Sequence, residues 1–372
     1  MRLLLRKSAP LIVVAALMWT SSAHADDAPP APAADESPSE TAPPSAPRED
    51  TTTSSSPPDV HTPALASSVE PGAEPTPTPP PPPPKPAPPP YSVPWQLRPI
   101  VAPTVVRAET SFAFYEDKAA SAGTTIASIL TASYRIPGTG PVSAGLAPVV
   151  RAAFVTDDPA PGNNTRGGAT FVNPLVGAAY AIKLDGGFRL NAFFGATIPV
   201  GGGGGDAPFA GSLNSRIKGL NARAQLDNAL FAVNDFTVIP GIGAAYVNHG
   251  LTVQVEATLL HLMRVRGEAA QPEASKTNMT AGLHVGYFFL PELSVGSELR
   301  YQRWLNAPFA VEKDTTDATR DTLTFAVGPR VHIKLGELRF RPGLSYQRGL
   351  DKPLAAATPN YHIVQLDLPL FF

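Results

Sequence analysis

Segments in which apolar and polar residues alternate recur from about residue 103 to the end of this 372-residue chain. A period of two is the mark of an extended strand with one oily and one wet face. Twelve strands are expected, at about 103–115, 124–136, 142–156, 169–184, 188–199, 236–247, 251–266, 278–290, 293–305, 321–334, 338–349 and 360–372. In the last, YHIVQLDLPLFF, Val364, Leu366, Leu368, Leu370 and Phe372 share one face while Gln365 and Asp367 share the other. The ninth sets Leu293, Val295, Leu299, Tyr301 and Leu305 against Ser294, Glu298, Arg300 and Gln302. The seventh sets Leu251, Val253, Val255, Leu259, Met263 and Val265 against Thr252, Gln254, Glu256, Thr258, Arg264 and Arg266.

The links between strands alternate as well. Tight links follow the even-numbered strands: Pro137 to Pro141, Asp185-Gly186-Gly187, Asn248-His249-Gly250, Pro291-Glu292 and Leu335-Gly336-Glu337. Those after the odd strands are mostly longer and more polar, such as Asp157 to Gly168, Val200 to Asp235, Gly267 to Thr277, Asn306 to Arg320 and Leu350 to Pro359. An even strand count with short turns at one end and long loops at the other fits a closed antiparallel barrel lying across a membrane. A soluble sandwich has no reason to keep that alternation over five repeats.

The closing strand, alternating and ending on Phe372, resembles the final strand of bacterial outer-membrane β-barrels of the porin-like class. The resemblance is to a class and identifies no family. It implies an all-β fold, a 12-stranded antiparallel transmembrane β-barrel in the outer membrane of a Gram-negative bacterium. Outer-membrane lipid and the barrel assembly machinery are the implied partners, and Tyr361, Leu366, Leu368, Leu370 and Phe372 the implied assembly signal.

Residues 1–25 read as a secretory signal peptide. Arg2, Arg6 and Lys7 precede an apolar run from Leu11 to Trp19, and Ala23-His24-Ala25 offers cleavage after Ala25. The run is too short to cross ~30 Å of hydrocarbon as a helix. Residues 26–98 carry 24 of the 44 prolines among Ala, Ser, Thr and acidic residues. Such a segment buries too little apolar surface to offset its conformational entropy, so a disordered periplasmic arm is expected, stiffening to polyproline II near Pro79 to Pro90. The arm reaches peptidoglycan or a periplasmic protein, or is only a spacer. Tyr91-Ser92-Val93-Pro94-Trp95 reads as a docking motif or as an aromatic anchor at the barrel rim. Residues 99–372 form the barrel.

Several functions are disfavoured. The absence of cysteine rules out disulfides and a lipid-bearing N-terminal Cys. A formal net charge of -2 gives no basic excess for nucleic acid. No His, Asp or Glu cluster has metal-ligand spacing, and no cofactor is implied. Some barrels of this size, the outer-membrane phospholipase A group, are hydrolases that pair a Ser with a His. His261, His284, His332 and His362 have no such partner nearby in sequence, so no enzyme is expected. His249 is read as a tight-turn residue.

Pro148, Pro174, Pro240, Pro329 and Pro342 fall inside expected strands, where each removes a ladder hydrogen bond. All five are on the apolar face. Three recur six residues before an aromatic, in APVVRAAF, NPLVGAAY and IPGIGAAY, which suggests a bulge near the proline and Phe154, Tyr180 and Tyr246 at one membrane interface.

The wet faces form the expected lumen, since Arg or Lys at mid-depth on the lipid face costs roughly 2 to 4 kcal/mol. They carry Arg107, Arg135, Arg151, Lys183, Arg189, Arg264, Arg266, Arg300, Arg330, Lys334, Arg339 and Arg341 against Glu109, Glu256, Glu298 and Asp367. A basic lining favours anions, so the expected function is a passive pore for small anionic solutes. The alternative is a plugged structural or surface-interaction barrel, its arginines paired with carboxylates and its function in the loops or the Pro-rich arm. Within 200–235, Ile217, Leu220, Leu226 and Leu230 have roughly helical spacing. This loop folds inward as a constriction or lies over the mouth, or it is a surface loop with a short helix, the preferred reading.

Overall fold

The computed structural model describes residues 90–116, 122–137, 143–160, 166–313, 320–355 and 360–372. The expected signal peptide and residues 26–89 of the arm lie outside them. Twelve antiparallel strands close into a barrel: β1 (Val105–Glu116), β2 (Ala122–Ser133), β3 (Ser143–Asp158), β4 (Gly168–Phe171 and Leu175–Lys183), β5 (Phe188–Thr197), β6 (Asp235–Asn248), β7 (Leu251–Arg264), β8 (Ser275–Leu290), β9 (Leu293–Asn306), β10 (Asp321–Val331, continued by Ile333–Leu335), β11 (Leu338–Phe340 and Gly343–Gly349) and β12 (Asn360–Phe371). Each strand pairs with its sequence neighbours, and β1 pairs with β12 from Val105↔Phe371 to Glu116↔Asn360. Closure leaves no free sheet edge, as a lipid environment requires.

The two faces are inverted relative to a water-soluble protein. Outward-facing Ile242 is 68% exposed and Leu130 54%, whereas inward-facing Gln254, Arg300, Gln302, Gln347, Gln365 and Asp367 are fully buried. An apolar exterior around a polar interior is what a hydrocarbon belt demands. In β12, Gln365 and Asp367 point inward and Val364, Leu366 and Leu368 outward, as the alternation predicts. Tyr361, grouped above with the outward assembly residues, is on the inner face, stacked on Tyr115 at 5.2 Å.

The prolines sit where they do least damage to the ladder. Pro148, Pro240 and Pro329 are exposed on the outer face. The β6–β7 ladder skips Ile239 and Pro240, and the β10–β11 ladder skips Gly328 and Pro329. Pro174 and Pro342 fall in the breaks within β4 and β11. The single aromatic interface is corrected. Odd strands run from the turn end to the loop end and even strands return, so Phe154 lies toward the loop end of β3, and Tyr180 and Tyr246 toward the turn end of β4 and β6.

Candidate functional site

The lumen is filled from both ends. From the turn end, residues 90–104 enter, reach mid-depth and return to the start of β1. This corrects the reading of residues 91–98 as part of a disordered arm and of Trp95 as a rim anchor: Trp95 is 1% exposed, inside the barrel. Its backbone N–H and that of Gln96 donate to the Glu298 carboxylate, and its indole N–H donates to Gly296 O at 3.0 Å. Tyr91 Oη donates to Gln254 Oε1 at 2.6 Å, and the Ser92 N–H donates to Thr252 Oγ1 at 3.0 Å. Gln96 Nε2 reaches Gln347 Oε1 at 2.7 Å and Gln365 Oε1 at 3.0 Å. At the deepest point the Arg98 N–H donates to Glu256 Oε2 at 2.7 Å, and its guanidinium pairs with Glu256 Oε1 at 2.7 Å. Glycines in the wall leave the room this segment needs. A Cβ at Gly282 would collide with Leu97, one at Gly243 with Ile100, and one at Gly343 would lie 2.7 Å from the Trp95 ring. Burial pushes the Tyr91 phenol well above its ordinary value.

From the loop end, the β5–β6 connection folds inward through α1 (Ala210–Ala222) and α2 (Asn228–Phe231). This corrects the preferred surface-loop reading. The face that α1 buries is made of small residues, Gly211, Ser215, Gly219 and Ala222, while Ile217 is 47% exposed. A Cβ at Gly219 would lie 2.6 Å from Val155 Cγ2, so only a bare backbone packs this close to β3. Leu230, Phe231 and Val233 join Ile129, Val155, Leu260, Leu262 and Ile363 of the inner wall in one apolar cluster. The tip is polar: Arg223 Nη1 donates to Ser111 Oγ at 3.1 Å, and Asn228 Nδ2 donates to Gln302 Oε1 at 2.7 Å. Asp227 lies 3.0 Å from Arg151 Nη1 and 2.9 Å from Arg223 Nε. Burial works to raise its carboxyl, but these two guanidinium groups overcome it and hold the pKa at about 2.

Among the described residues, four of the twelve expected lumen cations, Arg107, Arg151, Arg264 and Arg330, are ion-paired, and Glu109, Glu256 and Asp367 each meet a guanidinium. Asp367 binds Arg107 at 2.7 Å and Arg330 at 2.5 Å, and Arg330 also lies 4.4 Å above the Trp95 ring. Glu109 faces Arg107 at 2.9 Å, Arg223 at 3.6 Å and Arg151 at 3.7 Å. Arg300 is buried, with Nη2 3.4 Å from Gln347 Oε1. Arg264 and Arg266 stand at the loop end: Arg264 pairs with Glu268 at 3.1 Å, and Arg266 Nε donates to Val233 O at 3.0 Å, fastening the inward loop. Between the two insertions a cavity of about 60 Å³ remains, bounded by Leu97, Arg98, Arg151, Asp227, Leu230 and Glu256. Arg339 and Arg341 lie instead at the turn end, beside a larger cavity.

Remote strands supply the Ser–His contacts that local sequence lacks. Ser294 Oγ lies 2.7 Å from His332 Nε2. Ser92 Oγ lies 3.3 Å from His284 Nε2, whose Nδ1 is 3.5 Å from Glu298 Oε1. Ser92 and His284 are buried and line neither the central nor the turn-end cavity. The Glu298 carboxylate is taken up by the backbone of Trp95 and Gln96, so this trio holds the inserted segment. Among the described residues no group of three or more His, Asp or Glu is arranged to hold a metal.

Fold and lumen together define a transmembrane β-barrel of the bacterial outer-membrane type. The chain is similar in structure to an outer membrane channel from Pseudomonas putida F1, with 11% identity and a TM-score of 0.51 over 74% of this chain and 100% of that one. The NanC porin aligns at 9% identity and TM-score 0.42 over 72% of this chain and 98% of that one, and the KdgM porin at 11% and 0.39 over 72% and 99%. At 11% identity the likeness to the Pseudomonas putida channel shows the fold alone. No protein-family model and no curated sequence matches the chain.

Proposed function

We propose that the protein is a passive channel for small, preferentially anionic solutes in the outer membrane of a Gram-negative bacterium, closed at rest by its own re-entrant segment and inward loop. After removal of residues 1–25 the Pro-rich arm extends into the periplasm on the turn side. The observation that carries this reading is the wall behind residues 90–104. It is polar where the segment is held, with Thr252, Gln254, Glu256, His284, Glu298, Gln347 and Gln365 meeting it by hydrogen bonds, while Ala147, Ala181, Ala245 and Val247 supply smaller apolar contacts. A permanent core would be better served by apolar packing, because buried polar groups contribute little net stability. A wall that is polar behind a segment attached to the barrel only through β1 suits a lining that water and ions wet when the segment leaves.

One observation favours a second reading, a plugged structural or surface-interaction barrel. The loop-end insertion packs on an apolar inner wall, as a permanent core does. Planar-bilayer recordings separate the two, comparing the intact chain with barrels lacking residues 26–103, residues 202–231, or both. The channel reading expects rare openings of the intact chain, steady conductance from the doubly shortened barrel, and a reversal potential favouring chloride. A doubly shortened barrel that folds and stays silent sinks it.

A further inference from the structure

We propose that the turn-end mouth of the barrel is a binding site for small soluble polyanions carrying two or more phosphate or carboxylate groups. A cavity of about 890 Å³ opens there between the return limb of the re-entrant segment and the wall. Arg135, Lys183, Arg189, Lys334, Arg339 and Arg341 line it, and among the described residues Glu337 is the one acidic side chain beside them, with the terminal carboxylate of Phe372 also at the lining. Among the described residues none of these six cations forms an ion pair, whereas deeper in the lumen Arg98, Arg107, Arg151, Arg223 and Arg330 each meet a carboxylate. The mouth therefore carries a surplus of fixed positive charge in a concavity, with Arg189 and Arg341 half-buried and the other four cations exposed, and a cleft lined by one sign of charge attracts the other. Guanidinium forks match phosphate and carboxylate oxygens, and the volume falls in the range of small-molecule sites.

The acidic arm of the same chain is a poor occupant. Residues 26–89 carry ten Asp and Glu against two Lys and Arg, but the last acid, Glu74, is separated from Pro90 by a stretch with eleven prolines. Proline-rich sequence as a class favours extension over folding back. The nearest arm charge, Lys85, has the sign of the site. An exogenous anion is the better fit.

Two of the six cations also hold the start of the inserted segment. Arg341 Nη1 donates to Tyr91 O at 3.2 Å, and the Arg189 guanidinium lies 5.2 Å from the Tyr91 ring centroid. A polyanion engaging both competes with these contacts and loosens the segment. That consequence rests on the channel reading; the binding itself does not.

The test is calorimetric titration of the intact barrel, arm included, in neutral detergent with inorganic pyrophosphate and with citrate. Saturable binding is expected, weakened about tenfold or more in Arg189→Gln/Arg341→Gln, the loss of at least one charge-assisted contact, and unchanged in the loop-end control Arg303→Gln. Heat-modifiable gel migration verifies that each variant is folded. If the double variant does not fold, Lys183→Gln/Lys334→Gln replaces it with the same expectation. Absence of saturable binding, or equal affinity in the folded double variant, overturns the proposal. So does loss of binding in vesicles containing phosphatidylglycerol, which makes a lipid headgroup the occupant, or a tenfold gain on deleting residues 26–89, which makes it the arm. Conduction plays no part in the titration, so a silent barrel that binds pyrophosphate refutes the channel and leaves this site standing.

Discussion

Arg107 Nε lies 2.7 Å from Asp367 Oδ1 and Arg107 Nη2 lies 2.9 Å from Oδ2, a bidentate pair spanning the seam between β1 and β12. The same guanidinium donates to Pro94 O at 3.0 Å and to Trp95 O at 2.5 Å. Barrel closure and lumen closure thus share one side chain. Asp367→Asn leaves Arg107 and Arg330 buried without their common counter-charge, which costs on the order of 3 to 5 kcal/mol. The folded band on unheated gels should then be lost at a clearly lower temperature than in the wild type. An unchanged midpoint would show that the seam does not depend on this pair.

Gly282→Leu places a side chain where Leu97 sits. Overpacking typically costs 1 to 3 kcal/mol in a rigid core, but here the segment can leave. The expected result is an intact heat-modifiable barrel whose Trp95 emission moves to longer wavelength and whose segment 90–104 becomes open to protease. Retention of the buried Trp95 spectrum would contradict a displaceable segment.

The inward loop should respond to acid. The Asp227 carboxyl is held at about 2 against an ordinary 3.8, so the unfolded loop binds the proton more readily. Its stabilising contribution, about 2 kcal/mol, is present in full above about pH 4 and is lost as pH falls through about 2. Amide exchange in α1, followed by mass spectrometry, should accelerate across that window. Asp227→Asn should show the fast exchange already at neutral pH. Exchange in this variant as slow as in the wild type would remove Asp227 as the latch.

The outer face can be tested at Ile242, 68% exposed on β6. Ile242→Arg should lower folding stability in lipid vesicles by roughly 2 to 4 kcal/mol if the position is at mid-depth, less near an interface. Reversible urea titration reads the difference. No loss would mean that this face does not meet hydrocarbon.

The departures from alternation carried information that periodicity alone does not expose. Ile129, Val155, Leu260, Leu262 and Ile363 are apolar residues on inward register positions, and they mark the half of the wall on which α2 packs. The helix that meets them was legible only as a weak leucine spacing, because α1 turns glycine, serine and alanine toward β3 and leaves Ile217 exposed. Trp95 and its neighbours read as the end of a proline-rich arm for the same reason. Composition places a residue in a class of segment, and says nothing of a cavity that glycines elsewhere have opened for it.

Strand number, strand order, inward and outward faces and the alternation of turns with loops were determined by the sequence itself. Each depends on residues one or two apart in an extended chain, or on the length of a single link. Whether the lumen is open was decided only in three dimensions. Trp95 meets Glu298 across 203 positions, Gln96 meets Gln365 across 269, and Asn228 meets Gln302 across 74. Such contacts exist because closing β1 onto β12 encloses a space of fixed width, and which segments fill it is a matter of volume and hydrogen-bond matching that no local period encodes.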